Sequence, residues 1–168
     1  MKDERIMKKI GLFYAANAVK TSQIAKKIRE ALYVDIIPAE QAWGNDFEAY
    51  DNLIVGVSTW FDGELPTYWD ELIPELETLD LKGKRVALFG LGDQVNYPDN
   101  FVDGLGNAFE KAGAALVGFT PAKEYSFNRS KALRGNEWCG LVIDIENQSG
   151  RTDKRIKAWC DRLKTELL

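Results

Sequence analysis

The sequence predicts an α/β fold, a doubly wound parallel sheet of five strands with helices on both faces. Short apolar runs of strand length alternate along the chain with segments whose apolar residues recur at helical spacing. This alternation is typical of a parallel sheet that is buried on both faces. No linker or internal repeat interrupts the order, so we expect one domain over residues 1–168, with residues 1–7 as an N-terminal extension.

The first half of the chain contains three apolar runs of strand length, at residues 9–14, 34–37 and 52–57. The second run stops at Pro38, which cannot donate a ladder hydrogen bond. Two segments have apolar residues on one helical face and predict helices, residues 22–32 and 67–76. Right-handed crossovers then give a doubly wound sandwich of five strands.

The second half repeats the pattern with one interruption. A strand is predicted over residues 85–90, a helix over 100–112 and the start of a fifth strand at 114–119. A polar segment, residues 120–137, follows, and the apolar run 138–143 then resumes the fifth strand. We therefore interpret 120–137 as an excursion within that strand. A last helix is predicted over 151–168, with Ser149 or Thr152 as its N-cap.

The composition is that of a globular domain: the 168 residues are 45% hydrophobic and 29% charged, with a formal net charge of −4. The acidic balance argues against nucleic-acid binding and suits basic protein partners. No apolar run approaches the roughly 18 residues of a membrane span. The charged, short beginning is not typical of a signal peptide, so we expect a cytoplasmic protein without membrane partners.

Cysteine and histidine content limits the possible chemistry. Cys139 and Cys160 lie in apolar patterns and are interpreted as buried thiols in a reducing compartment. Histidine is absent, which excludes Ser-His and Cys-His nucleophile pairs and His-ligated metals. We therefore expect neither catalytic residues nor a metal site, and the sequence favours binding or cofactor chemistry.

Two loops that directly follow predicted strands carry an aromatic residue among Gly, Asp and Asn. They are residues 58–66, which contain Trp60, and residues 90–101, which contain Tyr97. Loops at the carboxyl ends of parallel strands bind ligands in open α/β sheets. The two aromatic rings are therefore suited to sandwich a flat conjugated ring. The alternative is that both rings simply cap the core.

A series of motifs, in order and at matching spacing from Met7 to Leu168, resembles the long-chain flavodoxins. The motifs are Ile10–Tyr14, Thr59-Trp60 with Gly63-Glu64-Leu65, Gly90 with Gly92-Asp93-Gln94, Tyr97 with Asp99-Asn100-Phe101, Tyr125-Ser126-Phe127 with Ser130–Arg134, and Gly140-Leu141 with Asp144. The resemblance implies strand order 2-1-3-4-5 and one non-covalent FMN. It also implies low-potential, one-electron transfer by a monomer between redox proteins, such as a flavodoxin/ferredoxin reductase and an acceptor oxidoreductase.

The resemblance implies a role for several individual residues. Trp60 matches the aromatic on the inner face of the flavin, and Tyr97 the one on its outer face. Thr59 matches a threonine near the ribityl and phosphate, and Asp93 an acid at the pyrimidine edge. The complete implied cofactor site is Ala16, Asn17, Ala18, Val19, Lys20, Thr21, Ser58, Thr59, Trp60, Phe61, Asp62, Gly63, Leu91, Gly92, Asp93, Tyr97 and Asn100.

The largest departure from the family lies in the phosphate loop, which reads Ser/Thr-x-Thr-Gly-x-Thr in flavodoxins and Ala16-Asn17-Ala18-Val19-Lys20-Thr21 here. Two hydroxyl donors are lost, each worth roughly 1.5–3 kcal/mol toward a charged acceptor. Backbone N–H groups and a helix N-terminus remain available to a phosphate. Lys20 is interpreted as a solvated lysine of the first turn, with a phosphate contact as the alternative.

Three functions remain open on this evidence. The favoured one is an FMN electron carrier with an altered phosphate loop. The others are a flavodoxin-fold protein that binds another flat ligand or acts through protein contacts, and a small flavin reductase. Acidic residues around the expected cofactor mouth predict electrostatic attraction of a basic partner. They are Asp62, Glu64, Asp70, Glu71, Asp93, Asp99 and Asp103.

Overall fold

The computed structural model describes residues 10–16, 18–58, 67–99, 101–102 and 107–167. The main sheet has the order β2-β1-β3-β4-β5, and all of these neighbours pair in parallel. Its strands are β1 (Ile10–Tyr14), β2 (Asp35–Pro38), β3 (Asn52–Ser58), β4 (Arg85–Leu91) and β5 (Ala115–Val117). Both the predicted fold class and the strand order implied by the family resemblance are confirmed.

The fifth strand position is shared by two segments of the chain. Strand β5 pairs with the start of β4, and the later strand β9 (Leu141–Ile143) pairs in parallel with the end of β4. Between them, β6 (Thr120–Pro121), β7 (Leu133–Arg134) and β8 (Glu137–Trp138) form a small antiparallel sheet of order β6-β8-β7. The predicted excursion that interrupts the fifth strand is therefore confirmed.

Six α-helices are present among the described residues. They are α1 (Val19–Leu32), α2 (Gly44–Glu48), α3 (Thr67–Leu76), α4 (Asn107–Lys111), α5 (Ile145–Gln148) and α6 (Thr152–Glu166). Two short 3₁₀ turns, Ala39–Gln41 and Ser149–Arg151, precede α2 and α6. None of the helices in the described part of the chain is long and apolar enough to cross a membrane.

Two predictions about helix boundaries are wrong in detail. Helix α1 begins at Val19 instead of Ser22. The segment predicted as helical from residue 100 has Phe101 and Val102 in a turn, and helix α4 begins only at Asn107. Val102 has a φ of 53° and is buried, so tertiary packing overrides the helical pattern there.

The predicted side-chain N-cap of the last helix is also wrong. Arg151 occupies the N-cap position of α6, and its side chain makes no capping hydrogen bond. Ser149 begins the preceding 3₁₀ turn, while Thr152 is already the first helical residue. The turn Ser149–Arg151 moves the helix start beyond Ser149, so that neither predicted residue caps the helix.

The core consists of two apolar layers, one on each face of the sheet. Alternate residues of β1 show the division, because Phe13 packs in one layer and Leu12 in the other. Cys139 and Cys160 are free and buried in opposite layers, as predicted. Burial raises the pKa of the Cys160 thiol to about 11, so this group is protonated at neutral pH.

Candidate functional site

Four chain segments meet at the carboxyl edge of the sheet. They are the loop after β1, the turn after β2, the loop after β4 and the segment after β9. Direct contacts join them: Ala16 N–H donates to Glu40, Gly92 N–H donates to the carbonyl of Ile143, and Lys20 pairs with Glu146. This edge therefore carries both the phosphate loop and the second aromatic loop that the sequence predicts.

The phosphate loop leads directly into the N-terminus of α1. Ala18 is the N-cap residue, and its side chain provides no capping bond. Helix geometry leaves the N–H groups of Val19, Lys20 and Thr21 without intrahelical acceptors. The first turn contains no acidic residue, so the positive end of the helix dipole has no internal counter-charge in that turn. Such a helix start can bind an anion through backbone groups alone.

Thr21 is the one hydroxyl residue that this loop shares with the family pattern. Its side chain is 1% exposed, and its Oγ1 has no hydrogen-bond partner among the described residues. A buried hydroxyl without a partner costs free energy. A phosphate at the start of α1 would supply the missing acceptor, so the residues of this loop fit a phosphorylated ligand.

Lys20 and Val19 have surroundings that the sequence did not indicate. Lys20 lies in the first turn of α1 with its side chain 52% exposed, as the interpretation of a solvated lysine predicts, and its Nζ also forms an ion pair with Glu146, the second residue of α5. Val19 is 70% exposed, and its side chain therefore extends into solvent. The ion pair forms because β9 ends at the edge of the sheet where α1 begins, which places α5 beside the first turn of α1.

At the start of the loop after β4, the backbone of Gly92 lies close to the side chains of Phe101 and Val102. A Cβ atom on Gly92 would lie 2.6 Å from Val102 Cγ2 and 2.7 Å from Phe101 Cε1. Only glycine therefore fits here without a shift of the buried Phe101 and Val102. Gly92 N–H also donates to the carbonyl of Ile143 at 3.0 Å, which fixes the loop to β9.

Asp93 organises the loop with its carboxylate. Oδ1 accepts from the backbone N–H groups of Val95 and Asn96 at 3.2 and 3.0 Å and from Asn147 Nδ2 at 2.8 Å. Oδ2 accepts from Asn96 Nδ2 at 2.7 Å. Partial burial opposes ionisation, but the hydrogen bonds from Asn96, Asn147 and Val95 hold the pKa of Asp93 below its ordinary value. The carboxylate is thus engaged by its own loop and by α5.

A buried network, which sequence reasoning did not single out, ties this loop to the excursion. Asp144, 1% exposed, accepts from both the backbone N–H and the side-chain amide of Gln94, at 3.0 and 2.8 Å. Gln94 Oε1 accepts in turn from Ser126 N–H at 2.6 Å. Asp144 also caps α5 by accepting from Asn147 N–H. The Asp144…Asn147 spacing is the only sequence signal of the network, because its other partners are far apart in the chain.

Tyr97 lies at the end of this loop, and its ring is partly accessible. The residue is 39% exposed, and its N–H donates to the Asp93 carbonyl at 2.9 Å. Leu91, the last residue of β4, pairs with Ser58, the last residue of β3. The loop after β3 therefore starts beside the loop that carries Tyr97.

Several predicted site residues lie outside the described residues. They are Asn17, Thr59, Trp60, Phe61, Asp62, Gly63 and Asn100. The structure brings the described ones to one edge of the sheet: Ala16, residues 18–21, Ser58, Leu91, Gly92, Asp93 and Tyr97. Within the described ranges, no group of His, Cys, Asp and Glu side chains is arranged to hold a metal ion.

Glu40 is a further residue at this edge that the sequence did not indicate. It lies in the 3₁₀ turn after β2, and its Oε1 and Oε2 accept from Ala16 N–H at 2.9 and 3.2 Å. An acidic side chain therefore contacts the first residue of the predicted phosphate loop. No sequence pattern could identify this contact, because it depends on how β1 and β2 are aligned.

Comparison with known proteins gives a consistent result. A family model described as flavodoxin matches residues 12–159. A flavodoxin of Synechococcus elongatus is 43% identical, and the match covers 95% of this chain and 98% of that protein. A flavodoxin of a Nostoc species is 44% identical over 95% of this chain and 97% of that protein. The crystal structure of Fusobacterium nucleatum flavodoxin bound to flavin mononucleotide is 32% identical, with a TM-score of 0.91 over 96% of this chain and all of that one.

Proposed function

Because this chain belongs to the flavodoxin family, we propose that it binds one FMN non-covalently at the carboxyl edge of the sheet and carries electrons between redox proteins. When bound, FMN supplies the one-electron redox chemistry. The protein is an electron carrier and not an enzyme with its own substrate turnover. The alternative of a protein that has lost FMN is not favoured, since its relatives over nearly the whole chain are flavodoxins.

The unpartnered hydroxyl of Thr21 is the observation that carries the cofactor assignment. It is buried at the N-terminus of α1, beside N–H groups that the helix leaves without acceptors. We infer that the phosphate accepts from Thr21 Oγ1 and from the backbone N–H groups of Ala16 and of residues 19–21, because the N–H of Ala18 already donates to the carbonyl of Ala15. Ala16 provides only its backbone donor, so the first helical turn supplies most of the phosphate binding.

The flavin ring is assigned to the neighbouring loops. Tyr97 is proposed to stack on its outer face, and Trp60 on its inner face. Ser58, Thr59 and the segment 61–63 are proposed to line the ribityl chain and the ring edge, with Asn100 completing the site. The carboxylate of Asp93 acts by fixing the loop, so we propose that the backbone amides around Gly92 and Gln94 meet the pyrimidine edge.

A titration of the apoprotein with FMN tests the proposal directly. Flavin fluorescence should be quenched to a sharp endpoint at one FMN per chain, and the holoprotein should be reducible in two one-electron steps during anaerobic potentiometry. Absence of saturable quenching would contradict the proposed function. A holoprotein that oxidises a substrate catalytically without a protein acceptor would instead support the reductase alternative.

The partners are proposed to be a basic reductase and a basic acceptor oxidoreductase. Asp99 and Glu71 are exposed acids of the predicted rim, whereas Asp62, Glu64 and Asp103 lie outside the described residues. Attraction between exposed charges is screened by salt, so the association rate with a reductase should fall as ionic strength rises. A rate independent of salt would contradict this docking mode.

We further propose that the chain acts in the cytoplasm as a monomer and folds as one domain over residues 1–168. The two buried free thiols support a reducing compartment. Sedimentation of the holoprotein tests the oligomeric state, and a dimer at micromolar concentration would contradict it.

A further inference from the structure

We propose that the carboxylate of Glu40 competes with the FMN phosphate for the loop between β1 and α1. Binding of the phosphate then displaces Glu40 from the N–H of Ala16. Glu40 would thereby reduce the preference of the site for a phosphorylated flavin over riboflavin. This inference rests on the proposed function, because it places the phosphate at residues 16–21.

The contact is a consequence of the sheet register. Tyr14 of β1 pairs with Pro38 of β2 in parallel, so residues two positions beyond each strand end lie side by side. These residues are Ala16 and Glu40. Ala39 is 1% exposed and anchors the intervening turn in the core. The register of β1 and β2 and the buried turn therefore place Glu40 beside the loop.

The geometry shows a carboxylate in the position of an anionic ligand. Both oxygens of Glu40 lie within hydrogen-bond distance of the same N–H, at 2.9 and 3.2 Å. Because Ala16 and Ala18 have no hydroxyl groups, each backbone donor of this loop has greater weight for phosphate binding. A phosphate monoester carries a charge of about −1.5 to −2 near neutral pH, so it would be repelled by the carboxylate.

The charge of Glu40 also lacks compensation. Glu146, the other acid beside the loop, is paired with Lys20. Glu40 forms no ion pair within the described residues, and it is exposed. An exposed side chain can rotate into solvent without a large desolvation cost, so displacement is feasible and the remaining effect is electrostatic.

The substitution Glu40→Gln isolates the charge, since glutamine keeps the size and one acceptor oxygen. Glu48→Gln is the matched control: Glu48 is exposed at the far end of α2, and its carboxylate makes no ion pair in the described part of the chain. Apoproteins are titrated with FMN and with riboflavin, which lacks the phosphate. We expect Glu40→Gln to bind FMN about tenfold more tightly, from like-charge repulsion at short range in water. The riboflavin affinity of Glu40→Gln should equal the wild-type value. The affinities of Glu48→Gln for FMN and for riboflavin should both equal the wild-type values.

Two results would overturn the inference. If Glu40→Gln leaves FMN affinity unchanged or weakens it, Glu40 is not a competitor but a support of the loop. If FMN and riboflavin affinities change by the same factor, Glu40 does not act through the phosphate.

A second measurement separates this inference from the proposed function. Inorganic phosphate is added to each apoprotein, and the shift of the thermal unfolding midpoint reports phosphate binding. Phosphate should stabilise Glu40→Gln more than wild type and Glu48→Gln, even if no variant binds FMN. Equal stabilisation of all three proteins contradicts competition by Glu40, whereas absence of FMN binding by all three contradicts the proposed function alone.

Discussion

The loop after β4 and the loop after β1 lie at the same edge of the sheet, but different groups hold them. In the first loop, side chains make the bonds: Asp93 accepts from the side-chain amides of Asn96 and Asn147, and the Gln94 side chain donates to Asp144 and accepts from the backbone N–H of Ser126. In the second, Ala16 and Ala18 offer only backbone groups, and the hydroxyl of Thr21 is without a partner in the described structure.

This difference shows how two parts of one binding site can differ in preorganisation. The loop after β4, here the ring-side loop, is held by the hydrogen bonds of Asp93 and Gln94 to residues of the protein itself. The loop after β1, here the phosphate-side loop, contains donors that an anionic ligand would satisfy, and Glu40 accepts from one of them. The cofactor phosphate is thus expected to order the second loop more than the flavin ring orders the first.

The largest expected effect comes from removing the centre of the ring-side network. Asp144→Ala leaves the backbone and side-chain donors of the buried Gln94 unpaired and removes the cap of α5, so the free energy of unfolding should fall by about 3 kcal/mol. Asp35→Ala, at an exposed acid of β2, is the control and should change it by less than about 0.5 kcal/mol. Denaturant unfolding measures both, and equal effects would show that the network does not stabilise the fold.

The next largest effect separates ligand binding from stability at Thr21. Thr21→Val should weaken FMN binding about 10- to 100-fold, because a hydrogen bond to a charged acceptor is lost. The apoprotein should be no less stable, since its hydroxyl has no partner. Thr152 is the matched control, because its Oγ1 is also buried and unpartnered within the described residues but lies in α6. A loss of FMN affinity in Thr152→Val as large as that in Thr21→Val would contradict the assignment.

A smaller effect on stability is expected where Gly92 packs against Phe101 and Val102. Gly92→Ala places a methyl group against Phe101 and Val102, so we expect a loss of about 1–3 kcal/mol in the free energy of unfolding. Gly150→Ala is the control, since a Cβ there meets no atom within 4 Å. If Gly92→Ala is as stable as Gly150→Ala, the loop is less constrained than its contacts indicate.

The smallest effect concerns the pH dependence that Asp93 contributes. Its folded pKa lies below the unfolded value, near 3.8, so its ionised form stabilises the fold above that pH. This contribution is lost as the pH falls through the lowered folded pKa. Asp93→Asn should therefore be less stable than wild type at neutral pH by up to about 1 kcal/mol, and the difference should decrease as the pH falls below 3.8. A difference that grows on acidification would contradict this sign.

The sequence predicts features that depend on local pattern. Apolar runs located all five strand positions, and the polar segment 120–137 located the interruption of the fifth. It could not predict the turn at Phe101 and Val102, because the left-handed φ of Val102 accompanies tertiary packing of its side chain in the core. The apolar residues there recur at helical spacing, but the burial of Phe101 and Val102 favours a turn instead of a helix.

The candidate site was predictable only where motifs mark it. The phosphate loop and the loop of Tyr97 follow recognisable strands, and both lie at the expected edge. Glu40 was not predictable, since its contact with Ala16 requires the β1–β2 register. The same holds for the bond from Ser126 to Gln94, which joins residues 32 positions apart.

If the phosphate-side loop recognises phosphate through the start of α1, the protein should distinguish FMN from riboflavin. The most direct test is a parallel titration of the wild-type apoprotein with FMN and riboflavin, followed by flavin fluorescence. Both ligands should bind, since both carry the flavin ring, and FMN should bind at least about tenfold more tightly because only FMN has the phosphate. Equal dissociation constants for the two flavins would contradict it.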